Sequence, residues 1–182
     1  MSKLLHWKSS RLNLQTMTGL AMLCALYVVL QMVTINISPM LQITFSFVPL
    51  ALSCYLYGFW PNVIFCFAAD FLGFIVHPDG AYMPLFAFIL VVKAWIYTMV
   101  LFRKQIHWVR VAIAQFSVDL IGNIFLTPLL LSMMYSVPYW AAVSTRLVKN
   151  AILFPIETVL LLLVFQAARQ IPVFKKAKIE GK

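Results

Sequence analysis

Apolar residues along this chain form long runs that are separated by short polar or turn-forming segments. Six of these runs approach or exceed the length of about 20 apolar residues that a helix needs to cross a bilayer. They cover residues 17–35, 44–60, 61–76, 82–102, 109–134 and 146–168. The pattern predicts an all-α integral membrane protein, a single domain over residues 1–182 with six transmembrane helices.

Glycine and proline mark the ends of several predicted helices. The second and third runs are separated only by Gly58–Pro61, a tight turn whose proline suits the first turn of the next helix. The third run ends at His77–Gly80, where a proline, an aspartate and a glycine are typical of a turn. We therefore expect short connections at both places.

The composition agrees with a membrane protein and excludes other classes. Hydrophobic residues make up 63% of the 182 residues and charged residues 10%, whereas a soluble domain is about 45–50% apolar and about 25% charged. A soluble globular fold, a disordered chain and a nucleic-acid-binding module are excluded on this ground. Six helices use about 120 residues, which leaves no room for a soluble catalytic domain.

The net charge of +9 is distributed unevenly along the chain. Three lysines or arginines lie in the N-terminal tail, three lie between residues 103 and 110, and five lie at the C-terminus from Arg169 onward. The predicted outer connections carry no cation before Arg146. Because cytoplasmic segments of membrane proteins are enriched in lysine and arginine, this pattern places both the N- and C-termini in the cytoplasm.

Sequence motifs for catalysis, metal binding or nucleotide binding are absent. The three cysteines fall inside apolar runs without a metal-ligand spacing, and His6, His77 and His107 lie far apart in tails or loops. The sequence has no Gly-Lys-Ser/Thr phosphate loop. We therefore expect a protein that is not an enzyme, binds no metal or cofactor and does not itself hydrolyse ATP.

Three charged residues, Lys93, Asp119 and Glu157, lie inside the fourth, fifth and sixth predicted helices. Charges within a membrane are costly and usually face the interior of a helix bundle or a water-filled cavity. Counted from the outer ends of their helices, Lys93 and Glu157 lie at the same depth, about 16 Å along each axis, and Asp119 also lies near the middle. They form either an ion or proton path or a buried charge pair that holds the helices together, and we favour the pair.

A second group of polar and aromatic residues lies in the outer halves of the last three helices. Its members are Tyr82, Phe86, Asn123, Thr127, Arg146 and Lys149. Asn123 and Thr127 are four residues apart and share one helix face. Aromatic surface, neutral hydrogen-bonding groups and two cations suit a small organic acid, because an arginine can pair with a carboxylate. The alternative for individual residues is an interfacial role, with the cations extending outward to the headgroups.

Small residues recur on one face of the first helix, at Thr18, Ala21 and Ala25. Small side chains at spacings of three and four residues let another helix approach closely. The spacing alone leaves two alternatives open, which are packing inside this helix bundle and docking of a partner helix.

Several segments of the sequence together resemble a known family. They are ITFSFVPLAL, ADFLGF, HPDGAYMP and TRLVKNAILFPIE, combined with the alanine pair of the first helix and six predicted helices. Their order and spacing resemble the S components, the substrate-binding membrane subunits of energy-coupling factor (ECF) vitamin transporters, from about residue 14 to residue 165. The folate-type branch is the most similar, with its GAYxP loop at Gly80–Pro84 and its RxxKN stretch at Arg146–Asn150.

The resemblance implies a role in vitamin uptake across the bacterial cell membrane. Such a subunit captures a vitamin at the outer face. It docks onto a transmembrane coupling (T) subunit through the small residues of its first helix, here Ala21 and Ala25. Two cytoplasmic ATPase subunits use ATP to drive reorientation and release. The implied partners are the T subunit, the two ATPases, the vitamin and the lipid bilayer, without nucleic acid.

The sequence departs from the folate-type pattern in ways that concern the ligand. Folate-type members usually carry an arginine in the first helix and another in the following loop, where this chain has Tyr27 and Gln42. The two carboxylates of folate would therefore meet fewer cations, whereas a smaller mono-acid needs only Arg146 and Lys149. The expected substrate is a carboxylated water-soluble vitamin, with pantothenate slightly favoured over folate.

Two other functions compete with this interpretation. A self-sufficient carrier or channel would use Lys93, Asp119 and Glu157 as an ion path. An intramembrane enzyme would need a nucleophile with a base or a metal cluster, which the widely separated histidines do not supply. Co-purification of a coupling subunit and two ATPases distinguishes the S component from a carrier that is driven by an ion gradient.

Overall fold

The computed structural model describes residues 13–33, 35–38, 41–76, 83–102, 104, 106–135 and 138–168. Within them the helices are α1 (Leu14–Met32), α2 (Phe47–Tyr57), α3 (Phe59–Val76), α4 (Leu85–Leu101), α5 (Trp108–Val118), α6 (Thr127–Tyr135) and α7 (Tyr139–Ala168). A π-helical segment, Asp119–Leu126, connects α5 directly to α6. Two short strands, β1 (Ile35–Ser38) and β2 (Leu41–Ile43), follow α1. The six predicted helices appear in the same order, the fifth being divided among α5, the π-helical segment and α6.

The connection after α1 forms a short hairpin of β1 and β2 in an otherwise helical fold, a local feature that the apolar pattern did not predict. The strands are antiparallel, with Ile35 paired to Ile43 and an irregularity in the ladder between Asn36 and Ser38. They contribute three isoleucines, and β-branched residues favour strands. Both strands are much shorter than the apolar runs that predict transmembrane helices.

The tight turn that the sequence predicts between the second and third helices lies at Gly58. This residue has a φ of 79°, a left-handed conformation that favours glycine. A Cβ at this position would lie 2.9 Å from a ring carbon of Phe102, so the space is also closed to a larger residue. Asn62 donates a hydrogen bond from its amide nitrogen to the Gly58 carbonyl at 2.5 Å. The end of α2 is therefore held against both the start of α3 and the end of α4.

The last helix begins earlier than the sequence predicts. It starts at Tyr139 instead of residue 146, and the backbone N–H groups of Ala141 and Ala142 donate to the Pro138 carbonyl. Proline suits the start of a helix because its φ is already helical and its missing N–H is not needed there. As a result, Arg146 lies two turns inside α7 and not in its first turn.

The π-helical segment was not predicted from the sequence. At its end the backbone N–H of Thr127 donates to the carbonyl of Gly122, five residues earlier. In an α-helix this bond would go to the residue four positions earlier. Pro128 follows directly and has no N–H to donate. The wider turns lie in the middle of the stretch from Trp108 to Met133, which contains Asp119 and Asn123.

Side-chain contacts at the helix ends establish the directions of the helices. The Tyr57 hydroxyl, at the end of α2, lies against the backbone of Gly19 near the start of α1. Phe165, near the end of α7, packs edge-on against Tyr55 with 5.5 Å between ring centroids. The start of α1 and the ends of α2 and α7 therefore lie at one end of the bundle, together with the end of α4.

Other contacts place the remaining helices. The Gln31 side chain near the end of α1 lies against Gly73 near the end of α3, so these two helices run in the same direction. The Tyr97 hydroxyl of α4 donates to Gln115 of α5, and Lys93 of α4 donates to Asn123 of the π-helical segment that continues α5. From the first bond to the second, the residue number falls from 97 to 93 in α4 and rises from 115 to 123 in its partner, so the two stretches are antiparallel. Successive helices thus alternate in direction.

Four helical stretches in the described residues are long and apolar enough to cross a membrane: α1, α3, Trp108–Met133 and α7. The other two helices are shorter, with 11 residues in α2 and 17 in α4. At 1.5 Å per residue, α2 covers about 16 Å, roughly half of a bilayer's hydrocarbon core. The prediction of six transmembrane helices therefore corresponds to four helices of full length and two shorter ones.

The buried core lies where α2 and α4 pack among α1, α3, α5 and α7. The described residues in it that are less than 2% exposed include Ala51, Cys54, Cys66, Ala69, Ala94, Tyr97, Leu101, Val111, Ala114, Leu161 and Phe165. Alanine and cysteine are small, so they allow the helices to approach closely. The three cysteines are buried and free, so they contribute to this packing as small apolar residues.

Candidate functional site

A polar connection joins α4 to the π-helical segment. The Lys93 Nζ atom donates a hydrogen bond to Asn123 Oδ1 at 2.7 Å. The amide nitrogen of Asn123 donates in turn to Asp119 Oδ1 at 2.8 Å. Lys93 and Asp119 are therefore linked through the amide of Asn123, and the structure shows this bridge where a direct contact was predicted.

A second connection extends the network to α7. The Tyr97 hydroxyl donates to Gln115 Oε1 at 2.6 Å, which fixes the orientation of the Gln115 amide. The Gln115 nitrogen donates to Glu157 Oε2 at 2.7 Å and faces the two Asp119 oxygens at 3.3 and 3.4 Å. One amide thus holds two carboxylates from different helices, and the three charges predicted at mid-depth belong to one network.

Gly122 makes room for this network in the π-helical segment. A Cβ at Gly122 would lie 2.6 Å from Lys93 Cε and 3.0 Å from Lys93 Cγ. The aliphatic part of Lys93 therefore passes directly over the glycine backbone. This contact allows the ammonium group to reach Asn123, one residue further along the segment.

Arg146 and Lys149 of α7 add two partly buried cations to the same region. Lys93 interacts electrostatically with both of them and with Asp119 and Glu157. Lys149 likewise interacts with Arg146 and both carboxylates. These five residues comprise three cations and two carboxylates, so the group has one positive charge in excess. Such a balance favours an anionic ligand.

Two donors on the same face of α7 have no hydrogen-bond acceptor among the described residues. They are Arg146 Nε and the side-chain nitrogen of Asn150, both buried. Asn150 is only 8% exposed. Arg146, Asn150 and Glu157 are four and seven residues apart and therefore lie on one face. Since an unpaired buried donor is costly, these groups are suited to an acceptor that a ligand brings.

The remaining members of the predicted outer group have different surroundings. Phe86 is half-buried near the start of α4, seven residues before Lys93 and on the same helix face. The Thr127 hydroxyl donates to the Gly122 carbonyl at 2.7 Å, so it satisfies the backbone of the π-helical segment. Tyr82 lies outside the described residues. Whether Phe86 and Thr127 contact a ligand stays a prediction.

Sequence reasoning missed three residues of this region, Tyr97, Gln115 and Asn150. Tyr97 and Gln115 are uncharged residues inside apolar runs, so they did not stand out as intramembrane charges do. A signal was present, because Gln115, Asp119 and Asn123 follow at intervals of four residues. Asn150 lies in the RxxKN stretch but was not singled out.

The small residues of α1 face outward. Ala21 and Ala25 are exposed in the isolated chain, whereas the buried side of α1 is formed by Thr16, Leu20, Cys24 and Tyr27. The first alternative, packing of these small residues inside the bundle, therefore does not agree with the structure. The strip stays available to another helix.

Comparison with known proteins identifies the family. Residues 15–165 match the family described as "ECF transporter, substrate-specific component". This range includes α1, the polar network and most of α7. Proteins of this family are the substrate-binding components of transporters and not enzymes.

Individual relatives are similar over most of the chain. The "Folate transporter FolT" of Leuconostoc mesenteroides is 33% identical over 157 residues, covering 83% of this chain and 84% of the relative. The "Folate transporter FolT" of Clostridium novyi is 31% identical over 124 residues, covering 68% and 72%.

A solved structure supports the same assignment. A crystal structure of FolT bound with folic acid matches with a TM-score of 0.74 and 31% sequence identity, covering 82% of this chain and 91% of that one. The helical architecture described above is therefore that of FolT, and the chain belongs to the family of substrate-specific components of ECF transporters.

Proposed function

We propose that this chain is the vitamin-binding S component of an ATP-driven ECF transporter in the bacterial cell membrane, and that its vitamin is folate. The observation that carries the proposal is its likeness, in sequence and in fold, to FolT bound with folic acid. The excess positive charge of the group formed by Lys93, Asp119, Arg146, Lys149 and Glu157 supports an acidic substrate.

Folate replaces pantothenate as the favoured substrate. The preference for pantothenate rested on the missing cations at Tyr27 and Gln42, and the relatives do not support it because both are folate transporters. The structure also supplies a reason. Lys93 belongs to the same polar group as Arg146 and Lys149, so the region has a third cation besides these two.

Calorimetry on the purified full chain tests the substrate. We expect folic acid to bind tightly and pantothenate to give no heat of binding at comparable concentrations. Tight binding of pantothenate without binding of folic acid would overturn the choice of vitamin. Binding of thiamine alone, which has no carboxylate, would overturn the whole class of carboxylated substrates.

The proposed partners are a transmembrane T subunit and two cytoplasmic ATPases. The outward-facing Ala21 and Ala25 form a surface that a helix of the T subunit can approach closely. The sequence has no phosphate loop of its own, so ATP is bound by the partners and this chain needs no cofactor. Folate uptake by this chain alone, driven by an ion gradient, would contradict the proposal and support a carrier.

We also propose that all six helical stretches cross the membrane, with both termini in the cytoplasm. The alternating directions of α1, α2, α3, α4, the α5–α6 stretch and α7 support six crossings. The clustered cations at the tails and around Lys104 support the cytoplasmic orientation.

Cysteine labelling from outside the cell tests this topology. The three native cysteines are buried, so an introduced exposed cysteine is distinguishable from them. We expect a membrane-impermeant thiol reagent to label Pro138→Cys in intact cells and to label Lys104→Cys only after lysis. The opposite pattern would reverse the orientation, and labelling of both in intact cells would contradict the alternation.

A further inference from the structure

Thr127, which directly follows the π-helical segment Asp119–Leu126, makes two bonds to one carbonyl. Its backbone N–H and its hydroxyl both donate to the carbonyl of Gly122, five residues earlier, the hydroxyl at 2.7 Å. In an ordinary α-helix a threonine hydroxyl bonds the carbonyl three or four residues earlier, as Thr98 of α4 does with Ala94. The two bonds of Thr127 therefore stabilise the wider turns of the segment.

The next residue, Pro128, disfavours the alternative α-helical form. In a regular α-helix its ring would clash with the carbonyl of Ile124, four residues earlier, and it has no N–H to offer that carbonyl. Its side chain is less than 2% exposed, so neighbouring groups hold the ring in place. Although π-helical turns are rare in proteins, two consecutive residues favour them here, one through hydrogen bonds and the other through steric exclusion.

The wider turns determine the direction of the Asn123 side chain. In an α-helix, residues at intervals of four advance by about 40° around the axis, so Gln115, Asp119 and Asn123 would spread over about 80°. A turn whose bonds go to the fifth residue contains more than four residues, so an interval of four falls short of one full turn. From Asp119 to Asn123 the segment therefore reverses this drift, and the Asn123 amide meets Asp119 at 2.8 Å and Lys93 at 2.7 Å.

Gly122 connects this backbone geometry to α4. Its carbonyl accepts both bonds from Thr127, and a Cβ on it would lie 2.6 Å from Lys93 Cε. If the segment rotated, a residue with a side chain would replace the glycine against Lys93. The bond from Lys93 to Asn123 thus depends on the backbone form that Thr127 and Pro128 favour.

We propose that Thr127 and Pro128 are positioning residues for substrate binding. They hold Asp119–Leu126 in its π-helical form, which places the Asn123 amide between Lys93 and Asp119, and they act on the substrate only through that placement. This inference rests on the proposed function, in which the substrate is folate. It gives Thr127 a role different from the ligand contact that the sequence predicts, because its hydroxyl is engaged by the Gly122 carbonyl.

Removing the Thr127 hydroxyl tests its part. In calorimetry on the full purified chain, we expect Thr127→Val, which keeps the side-chain shape, to weaken folic acid binding at least fivefold. Thr127→Ser keeps the hydroxyl and should bind within twofold of the unmodified chain. The matched control is Ser117→Ala, since the Ser117 hydroxyl donates to the carbonyl of Ile113 in the ordinary α-helical turns of α5. It should leave the affinity unchanged, and equal affinity of Thr127→Val would overturn the inference.

Replacing the proline separates positioning from stability. Pro128→Ala removes the clash that disfavours the α-helical form, so we expect folic acid affinity to fall at least fivefold here as well. The free energy of unfolding, measured by denaturant titration in detergent, should fall less than for Thr127→Val, because proline inside a helix is itself destabilising. Full affinity of Pro128→Ala, whatever its stability, would show that this proline does not position the site.

A double-mutant cycle with Asn123→Ala tests whether Thr127 acts through Asn123. If it does, adding Thr127→Val to Asn123→Ala should change folic acid affinity less than twofold, because the side chain to be positioned is already gone. A further loss as large as in the unmodified chain would mean that Thr127 acts on the ligand by another route, and would overturn the inference.

Failure of this inference is distinguishable from failure of the proposed function. If the unmodified chain binds no folic acid, the proposed function fails, and the same cycle measured in the free energy of unfolding decides the inference. It also decides if a variant binds too weakly for calorimetry. The loss caused by Asn123→Ala should then be less than half as large in the Thr127→Val chain, and equal losses in both chains would overturn the positioning role.

Discussion

The helices α1–α3 and the helices α4–α7 are held together by different interactions. In α1–α3 the contacts are largely apolar and aromatic, as where Tyr27 meets Phe65 edge-on with 5.9 Å between ring centroids. In α4–α7 a chain of hydrogen bonds runs from Lys93 to Glu157. Its intermediate members are Asn123, Asp119 and Gln115. The first part offers packing surfaces, and the second concentrates the charges.

Under the proposed function, this difference supports separate tasks for the two parts. Within a bilayer, helices associate through close packing of small residues, because lipid is as apolar as the side chains. The outward alanines of α1 are of this kind. Polar recognition needs charges that are kept inside the bundle, and among the described residues these lie in α4–α7, apart from the partly buried Asp70 of α3. Disrupting the first part should therefore affect coupling to partners, and disrupting the second should affect ligand binding and stability.

The largest expected effect concerns the outward face of α1. Replacing Ala21 and Ala25 together by leucine should abolish folate uptake in cells that contain the complete transporter, because a partner helix can no longer approach. Folic acid binding to the isolated chain should remain, since both residues point away from the bundle. Uptake of radiolabelled folate and calorimetry measure the two quantities.

A matched control uses the same change on other exposed surfaces. Ala68 of α3 and Ala151 of α7 are also exposed, and their replacement by leucine should leave uptake intact. Normal uptake by the Ala21 and Ala25 double variant would remove α1 as the docking surface.

The next effect concerns stability in α4–α7. Lys93→Met should lower the free energy of unfolding by about 3–5 kcal/mol, because it leaves buried carboxylates without their cation. Lys104→Met, at an exposed lysine that donates to the Met99 carbonyl, should change it far less. Denaturant titration in detergent gives both values. Combining Lys93→Met with Asp119→Asn should recover part of the loss, and full stability of Lys93→Met would show that the network does not hold these helices together.

Ligand affinity should respond to the outer cation of α7. Arg146→Ala should weaken folic acid binding by about 2 kcal/mol, roughly thirtyfold, if the guanidinium makes a charge-assisted hydrogen bond to a carboxylate. Calorimetry measures this loss, with Lys104→Ala as the control for removing a cation elsewhere. Unchanged affinity would mean that Arg146 extends to the headgroups and that the carboxylate binds at another place.

The smallest effect is expected among the apolar contacts of α1–α3. Tyr27→Phe removes only a hydroxyl whose hydrogen-bond partner is Ser46, so the free energy of unfolding should fall by about 1 kcal/mol. The ring contact with Phe65 is retained. A loss as large as that of Lys93→Met in the same denaturant titration would show that α1–α3 also depends on a polar network.

Much of the fold could be predicted from the sequence because apolar runs and breakers act locally. Gly58 ends α2 where the sequence placed a tight turn, since its positive φ excludes most other residues. The start of α7 is predicted at residue 146, seven residues later than the structure has it, because the small and aromatic residues after Pro138 have the mean hydropathy of a loop. In the structure the carbonyl of Pro138 accepts the first hydrogen bonds of the helix.

The sequence by itself determined the class of the protein, the positions of the intramembrane charges and the family. Composition, runs of apolar residues and motif order suffice for these, because each depends on neighbouring residues or on their order along the chain. Only the tertiary structure decided that Asn123 bridges Lys93 to Asp119 and that Gln115 joins Asp119 to Glu157. Those contacts connect residues 30 and 42 positions apart. Whether they form depends on how the helices are rotated and packed against each other, and on the π-helical segment that contains Asn123. The spacing of residues along a single helix does not determine how that helix faces its neighbours.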